Sequence, residues 1–230
     1  DPRLPVYFQP VTEGDNKGEY RGVANGMPNP QQDDYKAMSA PNVQEKSTDS
    51  PLRWMMASEV AFLRAEGAMR GWTAEMGGTA EEFYNKGIEL SFLENGLSAD
   101  AAARYAADET SKPTDFTDVS AANTKYNISA LGKITIKWNA GASEEEQLER
   151  IITQKWIAMF PNGTEAWSEF RRTGYPLIFP VRSNYPTSGV DTNKQIRRMV
   201  FPQSEYSNNG AAVQEAVKLL GGPDNGGTKL

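Results

Sequence analysis

Helix start and stop signals are the feature of this 230-residue sequence that most constrains its fold. Thr79 and Glu82 match a capping box, in which each side chain accepts a hydrogen bond from the other residue's backbone N–H. Asn95-Gly96 is a typical stop for the helix that this box opens. Ser143 and Glu146 repeat the box before a second long helix. Helices bounded in this way predict a mostly α-helical protein with long irregular loops and little β structure.

An earlier helix is predicted from Asp49 or Ser50 as N-cap and Pro51 as first helical residue, and it reaches Gly71. One face of this helix carries Met56, Val60, Leu63 and Gly67. With the next helix it forms a predicted antiparallel hairpin of tetratricopeptide character. That character comes from small residues where two helices would approach closely, namely Ala65, Ala68, Ala80 and Gly87.

The chain is interpreted as one domain, residues 1–230, with five regions along it. They are an aromatic-bearing loop region (1–50), the helical hairpin (50–107), an excursion of polar, turn-rich sequence that is expected to pack on the helices (108–142), a helical pair (143–174) and a loop-rich C-terminal region (175–230). The excursion contains one β-like fragment, Ile134–Trp138. Ser98 is predicted to cap a short helix, and Thr164 to cap another that stops at Gly174. Beyond it, only residues 210–220 are predicted to be helical.

The sequence contains neither histidine nor cysteine. Their absence excludes Cys-His and Ser-His-Asp nucleophile machinery, zinc sites built from thiolate or imidazole, and a disulfide framework. Carboxylate chemistry, Ser/Lys chemistry, hard-metal binding through oxygen, and recognition by aromatic and amide side chains remain open. Recognition is therefore the favoured class of function.

Charge and hydropathy exclude two further classes of protein. The 24 Lys and Arg residues are outnumbered by 30 Asp and Glu residues, and no basic run could follow a phosphate backbone, so nucleic acid is not an expected partner. No apolar run is long enough for a transmembrane helix, and the first residues do not form a signal peptide. The protein is therefore expected to be cytoplasmic, or the chain lacks its own N-terminus.

A glycoside hydrolase that uses two carboxylates is the sharpest enzyme hypothesis. Such enzymes hold their carboxylates about 5–9.5 Å apart. Glu59 and Glu66 are seven positions apart on one helix face, which is about 10.5 Å of helical rise and too far. Glu145 and Glu149 are close enough, but they belong to an acidic helix start, where the helix dipole favours negative charge. These acids are therefore interpreted as structural.

Acidic side chains in loops offer a weak hypothesis of calcium binding. Asp33-Asp34 and Asp15-Asn16 could supply oxygens, but neither pair fits the spacing of a calcium-binding loop. Adjacent acids in a polar loop are usually solvated. No metal site is predicted.

Aromatic residues in loops are the candidate ligand-binding residues. Tyrosine and tryptophan rings stack on sugar faces or receive peptide side chains, while amides supply directional hydrogen bonds. The candidates are Tyr20, Asn25, Tyr35, Tyr126 and Trp138. The alternative, which is more common for a loop aromatic, is that the ring ties its loop to the core.

Four segments, in order, are similar to the SusD/RagB family. The most specific is Glu149–Pro176, which resembles the C-terminal signature of that family. The other three are Asp1–Leu4, Ala57–Ala68, and Ile196–Pro202 with Glu205 and Asn208 after it. These segments are distributed over most of the chain, from Asp1 to Asn208.

The resemblance implies a surface-exposed, lipid-anchored outer-membrane protein of Bacteroidetes-type bacteria, built on tetratricopeptide hairpins with long loops. Its implied task is to capture an oligosaccharide or oligopeptide and deliver it to a SusC-like TonB-dependent transporter. No catalysis and no cofactor are implied. The alternatives are a carboxylate-based glycosidase, and a protein-interaction scaffold that has no small ligand.

Two departures from the family predict that the chain is a fragment. Family members are about twice as long, so the N-terminal half and the lipid-bearing cysteine would lie upstream of Asp1. The family also usually ends in a Trp-Trp-Asp-like tail, whereas this chain ends at Thr228-Lys229-Leu230. The lipid anchor is thus expected to be missing from the chain.

Overall fold

The computed structural model describes residues 1–26, 35, 38–42, 54–181, 189–193 and 195–228. Their regular secondary structure is helical, apart from two isolated antiparallel β-bridges, Phe8–Pro41 and Phe116–Ile128. The helices are α1 Leu4–Tyr7, α2 Ala57–Met69, α3 Thr73–Met76, α4 Ala80–Glu94, α5 Ala99–Ala106, a 3₁₀ helix Ala121–Tyr126, α6 Glu144–Ala158, α7 Gly163–Thr173, α8 Gln203–Asn208 and α9 Gly210–Leu219. The predicted mostly α-helical class is confirmed. Across the described ranges, no helix has both the length and the apolar character needed to span a bilayer.

The chain divides into two compact units, each built from three separate segments. Unit 1 consists of Asp1–Gly22, Lys36–Asp115 and Ser129–Ile178, and it contains helices α1 to α7. Unit 2 consists of Val23–Tyr35, Phe116–Ile128 and Phe179–Leu230, and it contains the 3₁₀ helix, α8 and α9. The division of the sequence into five regions of one domain stays a prediction.

The predicted hairpin is present in unit 1 as α2 packed antiparallel on α4. At one end, Ser58 donates hydrogen bonds from its N–H (3.0 Å) and its hydroxyl (2.6 Å) to the Glu94 carboxylate. Further along, the Phe62 ring lies against Gly87, where an added Cβ would be only 2.6 Å from the ring. A glycine is therefore needed at this close approach, as expected for tetratricopeptide-like packing.

The start of α2 differs from the prediction, and of the four residues predicted on one face only Gly67 is buried. The helix begins at Ala57, and the proposed caps Asp49 and Ser50, with Pro51, lie outside the described residues. Among the described residues, no local side chain caps α2; Glu94 of α4 instead accepts the hydrogen bond from the first-turn N–H of Ser58. Among the residues predicted to face inward, Val60 and Leu63 are exposed, while the buried positions are Ser58, Glu59, Ala61, Phe62, Ala65, Glu66, Gly67 and Ala68.

Local caps set the ends of the other main helices. Thr79 and Glu82 form the predicted capping box of α4, and Ser98 caps α5. Ser143 accepts the hydrogen bond from the Glu146 N–H at the start of α6. At α7 the cap is Asn162 and not Thr164, because the Asn162 side chain accepts from the N–H of Glu165. The helix ends as predicted at Gly174, which takes a left-handed conformation (φ 84°).

The core of unit 1 lies between the hairpin, α5 and α6. Its buried members are Phe62, Ala65, Tyr84, Ile88, Phe92, Ala102, Trp138, Leu148, Ile151, Ile152 and Ala158. The fragment 134–138 is not a strand: Trp138 packs on the Tyr84 ring (5.2 Å between centroids), and the Tyr84 hydroxyl donates to the Ile136 carbonyl (2.5 Å). Tertiary contacts with the helices therefore replace the pairing that the β-like sequence suggested.

Unit 2 is organised around buried polar side chains as well as its short helices. The Arg198 guanidinium pairs with Asp224, which also accepts hydrogen bonds from the Tyr206 hydroxyl (2.7 Å) and the Phe201 N–H. Helix α8, which contains Tyr206, was not predicted, whereas α9 matches the predicted residues 210–220 closely. The C-terminal loops are thus fixed by Asp224.

Candidate functional site

A side-chain cluster in unit 2 holds one of the predicted ligand-binding residues in a defined orientation. The Tyr35 hydroxyl donates to Asp118 Oδ1 (2.9 Å) and accepts from Asn123 Nδ2 (2.8 Å). The residue itself is helical and not in a loop as predicted, and it is only half-buried. Because both partners hold the hydroxyl, the ring has a fixed position while part of it stays accessible. Tyr35, Asp118, Asn123 and Asn127 are called the Tyr35 cluster below.

The loop that carries Asp118 is fixed by its own hydrogen bonds. The Asp118 N–H donates to Asn127 Oδ1 (2.8 Å), and the Ser120 N–H donates to Asp118 Oδ1 (2.9 Å). Phe116 and Ile128 exchange two backbone hydrogen bonds, of 2.8 and 3.0 Å, across the base of the loop. The acceptor for Tyr35 is therefore part of a rigid frame.

One oxygen of the Asp118 carboxylate is left unsatisfied. Oδ1 accepts from Tyr35 and Ser120, but Oδ2 is buried and has no hydrogen-bond partner within the part of the chain that the structure describes. Buried polar atoms in folded proteins almost always have a partner. The Tyr35 cluster therefore has the capacity to accept one further hydrogen bond.

Two more predicted site residues, Asn25 and Tyr126, belong to unit 2. Tyr126 ends the 3₁₀ helix that also contains Asn123, and it is buried, with the Lys125 ammonium 5.2 Å from its ring centroid. Asn25 is exposed in a turn beside Gly26. The structure thus connects Tyr126 to the Tyr35 cluster through one short helix. A role in binding stays a prediction for all three predicted residues of this unit.

The remaining predicted site residues, Tyr20 and Trp138, belong to unit 1. Tyr20 is half-buried, and binding by this residue stays a prediction. Trp138 is 7% exposed and packs in the core against Tyr84. Its position favours the alternative in which a loop aromatic ties its segment to the core.

A separate cavity of about 560 Å³ opens in unit 1. One wall is Tyr105, whose hydroxyl donates to Asp1 Oδ2 (2.9 Å) and accepts from Gln154 Nε2 (3.1 Å). Beside it, the fully buried Arg3 guanidinium donates to Gln154 Oε1 (2.8 Å) and lies 5.2 Å from the ring centroids of both Phe92 and Tyr105. This cavity is called the Tyr105 groove. The sequence analysis missed it, since its members are scattered along the chain from Asp1 to Ile157.

The acids considered for glycosidase chemistry are engaged in ion pairs. Glu66 accepts from Arg172 at 2.6 and 2.7 Å and from Arg70 at 2.9 Å. Burial alone would raise the pKa of Glu66, but the two guanidinium groups outweigh it and hold that pKa below its usual range. Glu59 lies 3.7 Å from the buried Lys155 ammonium, and burial raises the pKa of Glu59 despite this partner. Neither residue is an exposed carboxylate of the kind a general acid–base pair needs.

The second acidic pair is also used in the fold. Glu145 accepts a hydrogen bond from the Tyr175 hydroxyl (3.0 Å). Burial and this carboxylate raise the pKa of Tyr175 to about 12. Glu149 is partly buried, and burial raises its pKa. Over the described residues, no group of three or more acidic side chains could hold a metal ion; Asp33-Asp34 lies outside them.

Comparison with known proteins identifies the class. The sequence model of the family described as "SusD-like: Susd and RagB outer membrane lipoprotein" matches residues 1–230. The chain belongs to the SusD/RagB family, as its four similar segments indicated. No curated protein sequence matches the chain significantly.

Solved structures of the family are similar over the whole chain. A chitin-binding SusD homolog from Flavobacterium johnsoniae is 43% identical, with a TM-score of 0.88, over 100% of this chain and 46% of that one. A SusD-like protein from Bacteroides thetaiotaomicron VPI-5482 is 44% identical, with a TM-score of 0.87, over 100% and 47%. A SusD homolog from Bacteroides vulgatus ATCC 8482 is 37% identical, with a TM-score of 0.88, over 100% and 46%. The chain spans about half the length of these relatives.

Proposed function

We propose that the protein binds an oligosaccharide at the bacterial cell surface without cleaving it. The observation that carries this proposal is the similarity to the chitin-binding SusD homolog, which is 43% identical over the full chain. The family itself is described as an outer-membrane lipoprotein family. The protein is further proposed to deliver the captured glycan to a SusC-like TonB-dependent transporter. A lipid anchor is proposed to attach it to the outer membrane.

Within the described residues, the Tyr35 cluster is the proposed point of contact with the glycan. A tyrosine ring presents an apolar face to the C–H face of a sugar, and a ring held in place loses little conformational freedom on binding. Tyr35 has such a ring, fixed by Asp118 and Asn123. Asn25, which is exposed in the same unit, is proposed to supply a polar contact, and the buried Tyr126 is proposed to support the 3₁₀ helix that holds Asn123.

The pairing of the carboxylates supports a non-catalytic role. Hydrolysis of a glycosidic bond needs one carboxylic acid and one free carboxylate on either side of the bond. Glu66 is held by two arginines, and Glu145 accepts from Tyr175. The test is the release of reducing sugar from any glycan that the protein binds. Catalysis of that release would contradict the proposal.

The binding experiment is a calorimetric titration with N-acetylglucosamine oligomers, a panel of other neutral glycans, and oligopeptides. We expect heat with at least one glycan, and an affinity lower by about tenfold in Tyr35→Ala, since a stacked aromatic contact contributes about 1–1.5 kcal/mol. Heat with peptides alone would contradict glycan binding. The absence of binding heat with both glycans and peptides would favour a protein-interaction scaffold.

Tyr206→Ala is the matched control for this titration. Tyr206 is another partly exposed tyrosine of unit 2, and its hydroxyl also donates to an aspartate, Asp224 (2.7 Å). The control variant should keep the affinity of the parent protein. Equal losses in Tyr35→Ala and Tyr206→Ala would show that the effect comes from weakened packing of the unit.

A further inference from the structure

We propose that the Tyr105 groove is a second binding site, which takes a carboxylate-bearing saccharide such as a uronic-acid oligosaccharide. The groove belongs to unit 1, whereas the Tyr35 cluster belongs to unit 2. Its volume of about 560 Å³ lies within the range of small-molecule sites in proteins. The proposal goes beyond the function proposed above, since it concerns different residues and a charged ligand.

The carboxylates that line the groove are already hydrogen-bonded to donors of the same unit. Asp1 accepts three hydrogen bonds from Arg3 and one from the Tyr105 hydroxyl, at 2.8 to 3.1 Å. Asp108 accepts from the backbone and hydroxyl groups of Thr110 and Ser111, at 2.5 to 2.9 Å. The Ser111 hydroxyl, the first of these donors, holds the pKa of Asp108 far below its usual range. The Arg3 guanidinium therefore balances the charge of Asp1, whereas Asp108 stays ionised and keeps its negative charge.

The cations of the groove differ in how they are used. Arg150 is buried, pairs with Glu146 (2.8 Å) and donates to the Lys137 carbonyl (3.1 Å). Arg104 and Lys112 are exposed at the groove and form no ion pair or hydrogen bond with any residue that the structure describes. With Asp1 paired to Arg3 and Arg150 paired to Glu146, these two cations outnumber Asp108, and the lining residues carry an excess of positive charge. A ligand that carries a carboxylate complements it.

The remaining walls suit a sugar ring. Tyr105, Pro113 and Ile136 provide apolar surface. Thr153, Ser111 and Gln154 place hydroxyl and amide groups beside that surface. Apolar walls with a few convergent polar groups are typical of small-ligand sites, and sugars combine apolar C–H faces with hydroxyl edges. The groove therefore matches a saccharide, and its free cations select an acidic one.

The probe is a glucuronic-acid-containing tetrasaccharide, compared with the same molecule after reduction of each carboxylate to a hydroxymethyl group. Calorimetry on the protein should show that the acidic form binds about tenfold more tightly, as expected for two partly exposed ion pairs. The difference should shrink in high salt, which screens such pairs. Equal affinity for the two forms, or no binding of the acidic form, would overturn the proposal.

Two double variants distinguish the effect of the groove cations from the effect of the overall charge of the protein. Arg104→Gln with Lys112→Gln should remove the preference for the acidic form. Lys86→Gln with Lys218→Gln changes the net charge equally at exposed lysines outside the groove, and should keep the preference. If both double variants lose it alike, the preference comes from net charge and the proposal is wrong. Tyr35→Ala should leave it intact, so a failed Tyr35 site and a failed groove are distinguishable.

Discussion

Two buried carboxylates, Glu66 in unit 1 and Asp118 in unit 2, are satisfied to different degrees. Glu66 is 7% exposed, and both of its oxygens accept hydrogen bonds from arginine. Asp118 is 6% exposed, yet its Oδ2 has no partner among the residues described. A buried acid with both oxygens paired holds helices together. A buried acid with an unpaired oxygen, such as Asp118 beside the half-exposed Tyr35, can still accept a hydrogen bond.

The same contrast applies to the wider surroundings of each acid. In unit 1, Lys155 is 1% exposed and its ammonium lies 2.5 Å from Glu169 and 3.7 Å from Glu59. These pairs connect α2, α6 and α7. In unit 2, the Tyr35 cluster connects the helical Tyr35, the loop of Asp118 and the 3₁₀ helix. We infer that the buried polar groups of unit 1 stabilise its packing, while the Tyr35 cluster of unit 2 positions the proposed binding residue.

Removal of Lys155 should have the largest effect on this comparison. Lys155→Met leaves Glu59 buried without its cation and leaves Glu169 with Arg172 as its remaining one, and breaking a buried ion pair typically costs about 3–5 kcal/mol in the free energy of unfolding. Urea denaturation measures the loss, and the affinity of the remaining folded protein for glycan should not change. The exposed Lys218→Met is the control and should show no measurable loss. A loss below about 1 kcal/mol in Lys155→Met would contradict the role assigned to the buried pairs.

A methyl group at the hairpin contact should have the next largest effect. In Gly87→Ala the new Cβ would lie 2.6 Å from the Phe62 ring, so the helices must separate or the ring must move, at about 1–3 kcal/mol in unfolding free energy. Gly163→Ala, where nothing lies within 4 Å of the added Cβ, should be neutral or slightly stabilising. Thermal denaturation of the two variants tests this. Equal stability of the two would show that α2 and α4 are not packed this closely.

Glu66→Gln should lower the free energy of unfolding by about 1 kcal/mol, a reduced figure because Arg172 is partly exposed. The folded pKa of Glu66 lies below the unfolded value of 4.5, so its stabilising effect is present above that pH and is lost on further acidification. Urea denaturation between pH 7 and pH 3 should therefore show that the free energy of unfolding falls less steeply with acidification in the variant than in the parent protein. The same pH dependence of the free energy of unfolding in both proteins would refute this ion-pair contribution.

Asp118→Asn should have the smallest effect on stability and a specific effect on binding. The amide keeps one acceptor for the Tyr35 hydroxyl but loses the charge, so we expect a change below about 1 kcal/mol in unfolding free energy. Glycan affinity should fall about threefold, because a weaker hydrogen bond holds Tyr35 less firmly. Glu66→Gln is the control and should leave the affinity unchanged. The reverse pattern, in which only Glu66→Gln weakens binding, would place the site in unit 1.

Short-range signals in the sequence predicted the fold well. The capping box of Thr79 and the cap of Ser98 each depend on residues within three positions, and both helices begin where they were expected. The start of α2 was missed because its cap, Glu94, is 36 residues away. Its buried face was missed because Glu59 and Glu66 are buried by cations on other helices, which hydrophobic periodicity does not reveal.

The candidate site could be predicted only in part. Tyr35 was predicted as a candidate aromatic in a loop, but it is helical, and its partners Asp118 and Asn123 are 83 and 88 residues away, where nothing local marks them. Trp138 has the same local signature as Tyr35, yet it packs in the core. Only the tertiary structure separates the two, because aromatic residues predicted to lie in loops differ by what the rest of the chain places beside them.

The central claim is that a glycan contacts Tyr35. A crystal structure of the protein with the glycan found by calorimetry tests it most directly. The account predicts a sugar ring stacked on the Tyr35 side chain, at about 4 Å, with Asn25 near the same sugar. A glycan bound elsewhere, with the Tyr35 ring free and its hydroxyl still held by Asp118 and Asn123, would contradict the claim.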